Sequence, residues 1–258
     1  MFIEGRIAAF ISLLFIAAAL LYYMSRMRGG LKYPLRRLAA LDAIDKAIGT
    51  ATERGRPVFF TSGDGDVVAA EGTQVLAGLD VLTYVAEKCA TYNVKLIAAT
   101  SKPNVHTITE EVVRTAYATA GRPEAYQPDS VQFLSDQQMA YCAATLDLMR
   151  KEKVAAAILI GPFFRPGLII ADGAAEIGAI TIAGTARMSQ LPLFVASCDY
   201  CLLGEEMYAG SAYLNNDATA IANIAGQDAA KLYAVALILI GALLSTVKVE
   251  FLINLLKR

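Results

Sequence analysis

A glycine-rich and acidic segment, residues 62–66, follows the first apolar run that has the character of a buried strand. It reads Ser-Gly-Asp-Gly-Asp, and glycines let backbone N–H groups close around an anion. The segment departs from the dinucleotide fingerprint, because Val68 stands where the third glycine belongs. Its two carboxylates would also repel a phosphate unless a cation intervened. The segment is therefore either a plain flexible turn or a ligand-binding loop with the residues Ser62, Gly63, Asp64 and Gly65.

Three carboxylates, Asp199, Glu205 and Glu206, follow late in the chain. Paired carboxylates serve in acid–base catalysis or bind a divalent cation. The alternative is that Glu205 and Glu206 begin a helix, whose positive end favours acidic side chains. Ligands of open α/β sheets bind beyond the carboxyl ends of the strands. We therefore expect Asp199 and Glu205 to lie at this edge of the sheet, as candidate ligand-binding residues beside the segment 62–66.

The four cysteines include a Cys-x-x-Cys pair, Cys198 and Cys201. This spacing is typical of redox-active dithiols. The pair follows the sixth predicted strand, however, and Asp199 between the thiols is expected to raise their pKa values. A zinc site needs four ligands, whereas Cys89 and Cys142 fall on separate predicted helices. We expect four free thiols and no metal site.

Other catalytic signatures are missing from the sequence. His106 is the only histidine, and it stands in a predicted loop before a helix, where a helix cap or a surface group is the usual role. The sequence contains no Gly-x-Ser-x-Gly elbow and no Gly-Lys-Ser/Thr triplet. It therefore predicts no catalytic residue, no metal and no cofactor.

Short apolar runs that alternate with longer amphipathic stretches would position these residues. Six runs are almost continuously hydrophobic, as expected of strands covered on both faces: residues 57–60, 94–99, 131–134, 154–160, 179–183 and 193–196. Between them we predict helices over residues 38–52 and 73–92, a third that opens at Thr107 and a fourth capped by Asp136. This alternation predicts an α/β fold with an open, mostly parallel, Rossmann-like sheet.

Several stretches of the chain resemble a family of prokaryotic membrane proteins of unknown function. The stretches are residues 47–60, 182–185, 190–192, 198–200 and 204–206. The flanking apolar segments fit the same family, so the likeness covers most of the chain. The resemblance implies an α/β membrane protein with two anchors, and it implies no activity, cofactor or catalytic residue.

Apolar segments flank the predicted α/β domain at both ends. Residues 7–24 carry no charge, and 18 helical residues span about 27 Å, close to the thickness of a bilayer core. A second uncharged run covers residues 232–247. Residues 247–258 either continue this helix or lie along the membrane surface. The predicted organisation is an N-terminal anchor (1–25), a basic linker (26–37), an α/β domain (38–230) and a C-terminal transmembrane or interfacial helix (231–258).

The distribution of charge predicts the orientation. Five basic residues directly follow the first apolar segment: Arg26, Arg28, Lys32, Arg36 and Arg37. Positive charge stays on the cytoplasmic side, so we predict a cell-membrane protein with a cytoplasmic α/β domain and both termini outside. The same five residues either contact anionic lipid headgroups or serve only as the topology signal. Residues 38–230 have a net charge of −9, which disfavours nucleic acid as a partner.

Two hypotheses of function follow. The first is a non-enzymatic, membrane-anchored α/β protein that forms homo-oligomers and organises a membrane complex, because catalytic motifs are missing and both ends are anchored. The second is a tethered domain that binds a nucleotide or a metabolite at the carboxyl ends of its strands, with or without enzymatic activity.

Overall fold

The computed structural model describes residues 7–28, 37–215 and 218–246. The chain divides into two compact units. One, here called the helical unit, consists of Met1–Leu35 and Asn216–Arg258, and the other, the α/β unit, of Arg36–Asn215.

The helices are given in chain order. They are α1 (Ile7–Arg28), α2 (Ala39–Arg54), α3 (Gly72–Tyr92), α4 (Pro103–Thr119), α5 (Gln138–Glu152), α6 (Pro166–Glu176), α7 (Leu191–Ser197), α8 (Gly210–Asn215) and α9 (Ala218–Thr246). Short 3-10 turns span Pro123–Ala125, Pro128–Ser130 and Gly204–Ala209.

Within the α/β unit the strands form one open sheet. They are β1 (Val58–Thr61), β2 (Leu96–Thr100), β3 (Val131–Phe133), β4 (Ala156–Ile160), β5 (Ile180–Thr185) and β6 (Tyr200–Leu203). The strand order is β3-β2-β1-β4-β5-β6, and every pairing is parallel. Val58 lies opposite Leu96 on one side and Ala156 on the other. The predicted fold class is confirmed, and the order reverses between β1 and β4.

The two faces of the sheet carry separate hydrophobic cores. Phe60 packs on one face with the apolar sides of α2, α3 and α4. Its neighbour Phe59 points to the other face, since successive strand residues alternate, and packs there with α5, α6 and α7. Both rings are fully buried, and each contributes about 1.5–3 kcal/mol by leaving water. This two-sided burial explains why the central strands are apolar almost without interruption.

The prediction of a sixth strand at residues 193–196 is wrong. These residues belong to α7, in which Pro192 lies in the first turn, where a proline favours a helix start. Phe194 is buried and Val195 is exposed, a one-sided pattern that fits a surface helix. The sixth strand is Tyr200–Leu203. Only Leu202 in it is fully buried, as expected of a strand at the edge of the sheet.

Two helix starts also differ from their predicted positions. Helix α4 begins at Pro103 rather than at Thr107, because the fixed φ of proline suits the first helical turn. Helix α5 begins at Gln138, two residues after Asp136, and no side chain caps it. The ends of α2 and α3 agree with the prediction to within two residues.

The helical unit contains α1 and α9, which pack against each other in antiparallel fashion. The Ser12 and Tyr233 hydroxyls are 3.1 Å apart, and Phe15 stacks on Tyr233 with ring centroids 4.5 Å apart. Gly226 of α9 meets Leu20 of α1. Phe10–Met27 and Thr219–Leu243 are each long and apolar enough to cross a membrane. The second predicted segment is thus part of the longer α9, and residues 247–258 lie outside the described residues.

Candidate functional site

The loops after β1 and β4 meet where the strand order reverses. In open α/β sheets a ligand binds outside the carboxyl ends of the strands at this point. Residues 62–66 follow β1 directly, and Gly161 and Pro162 follow β4. The structure therefore brings Ser62, Gly63, Asp64 and Gly65 to the place in the fold that the sequence predicted for them.

The two loops are in direct backbone contact. Gly63 has a φ of +85°, and a Cβ atom there would lie 2.2 Å from the Pro162 carbonyl oxygen. A Cβ atom at Gly161 would lie 2.0 Å from the Ser62 carbonyl oxygen, and one at Gly65 would lie 2.4 Å from Cγ of Pro162. The glycines are needed because protein backbone already occupies this part of the crevice.

Two amides of the loop that could hold an anion donate hydrogen bonds within the protein. The Gly63 N–H donates to Oγ1 of Thr61 over 3.0 Å, and the Asp64 N–H donates to the Pro162 carbonyl over 3.2 Å. A phosphate cradle needs such N–H groups to point outward together. This geometry argues against a phosphate-binding loop of the dinucleotide type and favours the structural role of the glycines.

Asp64 is the most unusual group at this point of the fold. Its residue is 5% exposed, Oδ1 accepts a 3.0 Å hydrogen bond from the Phe164 N–H, and Oδ2 has no hydrogen-bond partner among the described residues. Burial raises the pKa of the carboxyl, while the Phe164 hydrogen bond and the charges of Arg187 and Lys102 act in the opposite direction. A buried carboxyl of this kind favours its protonated form more than an exposed one does.

Further polar groups support the loop after β1. The Tyr141 hydroxyl, on α5, is hydrogen bonded to the Thr61 hydroxyl, and the Ser101 hydroxyl donates to the Gly63 carbonyl over 3.3 Å. Tyr141 is fully buried, and burial raises its pKa. Tyr141 was not among the predicted site residues, because one tyrosine on an amphipathic helix carries no functional signal.

An ion pair lies at the rim of the site. Arg187, after β5, contacts Oε1 of Glu71 over 2.7 Å, and its guanidinium stacks on the Phe164 ring 3.7 Å from the centroid. The Arg187 hydrogen bond lowers the pKa of Glu71. Oε1 of Gln74 accepts a 3.2 Å hydrogen bond from the Ala186 N–H. These residues were also missed, since their partners lie more than a hundred positions away in the chain.

Asp199 does not join this site. Asp199 immediately precedes β6 and therefore lies at the amino end of the sheet. The prediction had placed it after a strand, at the carboxyl end. Its Oδ2 accepts hydrogen bonds from the Thr181 N–H and hydroxyl over 2.8 and 3.0 Å. Glu205 and Glu206 follow β6 at the carboxyl end, so the expected cluster of three carboxylates is not formed. Glu206 accepts a hydrogen bond from the Leu203 N–H over 3.0 Å, as expected for an acidic residue in a first helical turn.

His106 lies between a hydroxyl and a carboxylate. Its Nδ1 is 3.2 Å from Oγ1 of Thr100, and its Nε2 is 3.4 Å from Oε1 of Glu110. The order hydroxyl, imidazole, carboxylate resembles a catalytic triad. Thr100 is only 1% exposed, however, so its hydroxyl is out of reach of a substrate. The contacts instead fix the start of α4 against the end of β2.

The remaining predicted groups are placed as follows. In the described parts of the chain, no three His, Cys, Asp or Glu side chains are arranged to hold a metal ion. Arg26 lies over the Tyr22 ring at 5.9 Å, and Arg28 ends α1. Arg37 pairs with Asp42 over 3.2 Å. Lys32 and Arg36 lie outside the described residues.

These observations define an α/β protein with an open parallel sheet and two helices long enough to cross a membrane. The chain belongs to the family described as domain of unknown function (DUF6754), which it matches over residues 1–256. No curated protein and no solved structure is significantly similar to the chain.

Proposed function

We propose that this protein is a non-enzymatic, membrane-anchored α/β protein of a prokaryotic cell, which associates with copies of itself and organises a complex in the cell membrane. The observation that carries the proposal is that both ends of the α/β unit leave it at one place. Each end continues in the sequence toward an apolar helix. The unit is thus attached by one corner, through two tethers.

Asp42 forms this corner. Its Oδ1 accepts a 2.6 Å hydrogen bond from the Tyr213 hydroxyl, near the end of the unit, and its Oδ2 lies 3.2 Å from the Arg37 guanidinium, near the beginning. Helix α2 precedes β1 and runs back along it, so its first turn lies at the carboxyl edge of the sheet. A double tether at one edge restricts how the unit can turn relative to the membrane.

The apolar surface of the helical unit supports the membrane anchor. Large side chains such as Leu13, Leu21, Leu232 and Ile238 remain exposed when α1 and α9 pack together. Covering one such side chain with an apolar medium contributes about 1.5–3 kcal/mol. Lipid provides this medium along the whole length of both helices. The five basic residues between positions 26 and 37 support a cytoplasmic α/β unit with both termini outside and a linker that contacts anionic headgroups.

The filled crevice supports a role without catalysis. At the place where this fold class binds its ligands, the Pro162 backbone contacts Gly63 and the Pro162 ring contacts Gly65. The neighbouring amides donate within the protein. A ligand would have to displace these contacts before it could approach the ends of β1 and β4.

Exposed apolar side chains at the carboxyl edge support self-association. Several lie at the last residue of a strand, in the loops after the strands or in the first turn of the helices that follow, and examples are Val68, Phe133, Met139, Ile169, Met188 and Leu203. Val68 is 82% exposed and Met188 is 79% exposed. We infer that part of this surface forms a contiguous patch, because contiguous apolar surface on a folded domain marks an interaction site. Identical units carry the same edge, which suits contact between copies.

Native mass measurement of the full-length protein in mild detergent tests the proposal. We expect a defined oligomer at micromolar concentration. The double substitution Val68→Asp with Met188→Asp should shift the population toward the monomer. Tyr92→Asp is the matched control, because Tyr92 is also exposed but ends α3 at the opposite edge of the sheet. A monomeric wild-type protein at this concentration contradicts self-association.

A second candidate function is the binding of a nucleotide or another metabolite at the switch point. The unpartnered Oδ2 of the buried Asp64 favours it, since a ligand with a donor group would satisfy this atom. Thermal-shift screening with nucleotides, metabolites and divalent cations tests it. A stabilising shift that Asp64→Ala abolishes and Asp66→Ala retains would support binding. The lack of any shift across the screen would contradict it.

A further inference from the structure

The Cys-x-x-Cys pair occupies a defined position at the edge of the sheet. Cys198 directly follows the last residue of α7, and Cys201 lies in the edge strand β6. Both thiols are free and partly exposed. Both pack against the same hydrophobic core, on the face of the sheet covered by α5, α6 and α7. The fold therefore places both cysteine side chains on the same face of the sheet, at the two ends of the segment 198–201.

Asp199 bends the chain between the two cysteines. Its N–H donates to Oγ1 of Thr181 over 2.9 Å, and its Oδ2 accepts from the Thr181 N–H and hydroxyl. The carboxylate is therefore bound to β5. A straight strand would carry Cys198 and Cys201 about 10 Å apart, whereas the chain bends at Asp199 and both side chains pack against the same hydrophobic core.

The two thiols differ in acidity. The neighbouring Cys198 thiol lowers the pKa of Cys201, while the Cys201 thiol and burial raise the pKa of Cys198. The expectation that Asp199 raises both pKa values is thus wrong for Cys201. The physical reason is that Thr181 binds the carboxylate, and the neighbouring thiol is the group that stabilises the Cys201 thiolate. One nucleophilic and one resolving thiol form the pattern of a dithiol exchange site.

We propose that Cys198 and Cys201 form a redox-active dithiol that exchanges with low-molecular-weight disulfides. This inference goes beyond the proposed function and does not depend on it. It rests on the shared face of the two side chains, the bend fixed by Thr181 and the position of Cys201 on an edge strand.

The exchange proceeds in two balanced steps. The Cys201 thiolate attacks one sulfur of the disulfide, forms a mixed disulfide and releases the other half as a thiolate. The Cys198 thiol gives its proton to a released thiolate and attacks the Cys201 sulfur, which expels the second half. The net result is one Cys198–Cys201 disulfide, one small thiol and one small thiolate, which takes up the proton that Cys201 released to solvent on ionising. The protein is oxidised by two electrons and the reagent is reduced by two.

Intact-mass analysis of the full-length, reduced protein in detergent tests the proposal, with glutathione disulfide as the probe and alkylation of the remaining thiols. We expect the loss of two hydrogens, no retained glutathione, and a Cys198–Cys201 linkage in the peptide map. Cys198→Ser should trap glutathione on Cys201. Cys201→Ser should react with glutathione disulfide at least about tenfold more slowly than the wild type.

Cys142→Ala is the matched control, because Cys142 is buried in the same core, and it should react as the wild type does. Two outcomes overturn the proposal: a wild-type protein that stays fully reduced, and one that retains glutathione without forming the internal disulfide. The wild-type measurement decides the question even where a variant fails to fold.

Discussion

Tyr213 donates a 2.6 Å hydrogen bond to Asp42, 171 residues earlier in the chain. Arg37 contacts the other oxygen of the same carboxylate. One side chain thus joins the first and the last segments of the α/β unit. This contact closes the unit at the corner where both connections to the apolar helices begin.

Tyr213→Phe removes this hydrogen bond and keeps the ring. We expect the unit to lose about 1 kcal/mol of unfolding free energy, the usual contribution of one hydrogen bond. Denaturant unfolding of the full-length protein in detergent measures the change. Tyr208→Phe is the control and should be neutral, because Tyr208 is exposed and has no hydrogen bond to the described residues. Equal stabilities of the two variants would show that the Asp42 contact does not hold the corner.

Gly63→Ala tests the close contact of the two loops at the switch point. The new methyl group would meet the Pro162 carbonyl at 2.2 Å, and the φ of +85° is unfavourable for alanine. We expect a loss of more than about 2 kcal/mol, through steric overlap and backbone strain together. Gly49→Ala, inside α2 with open space around it, should be neutral or gain up to about 1 kcal/mol. If both substitutions had the same effect, the loops would not be in contact as described.

Asp64→Asn tests the buried carboxyl through the pH dependence of stability. Because burial raises the pKa of Asp64 in the folded state, its ionisation destabilises the fold, and stability falls as pH rises from the ordinary value of 3.8 upward. Asparagine keeps the acceptor for the Phe164 N–H and carries no charge. We expect Asp64→Asn to be more stable than the wild type at pH 7 and to lose this advantage near pH 4.

Urea unfolding across this pH range provides the measurement for Asp64→Asn. Asp66→Asn, in the same loop, serves as the control. An advantage that does not change with pH would contradict a raised pKa of Asp64.

The sequence alone predicted the fold class because parallel strands buried on both faces leave a strong signal. The runs that became β1, β2, β4 and β5 are almost continuous in apolar residues, and each strand is nearly or fully buried in the structure. The sixth strand was misplaced because an edge strand pairs with only one other strand. It is therefore less buried, and its sequence is less continuously apolar. The run 193–196 was more hydrophobic than Tyr200–Leu203, but Pro192 begins a helix there.

The site was predictable only in part, for a related physical reason. Residues 62–65 were recognised because glycine and aspartate after a buried strand indicate a turn at the edge of the sheet. Asp199 was assigned to the wrong edge, since its position depended on the misplaced strand. Tyr141 and Arg187 reach the site through contacts 80 and 116 residues apart in sequence, and local periodicity carries no information about such contacts.

Protease accessibility in cells tests the central claim most directly, namely that two membrane-spanning helices hold the α/β unit on the cytoplasmic side. A protease added outside intact cells should leave residues 37–215 uncut. The same protease should digest them in inside-out membrane vesicles, with α1 and α9 remaining in the membrane fraction. Digestion of the α/β unit from outside intact cells, or its release from washed membranes without cleavage, would contradict the account.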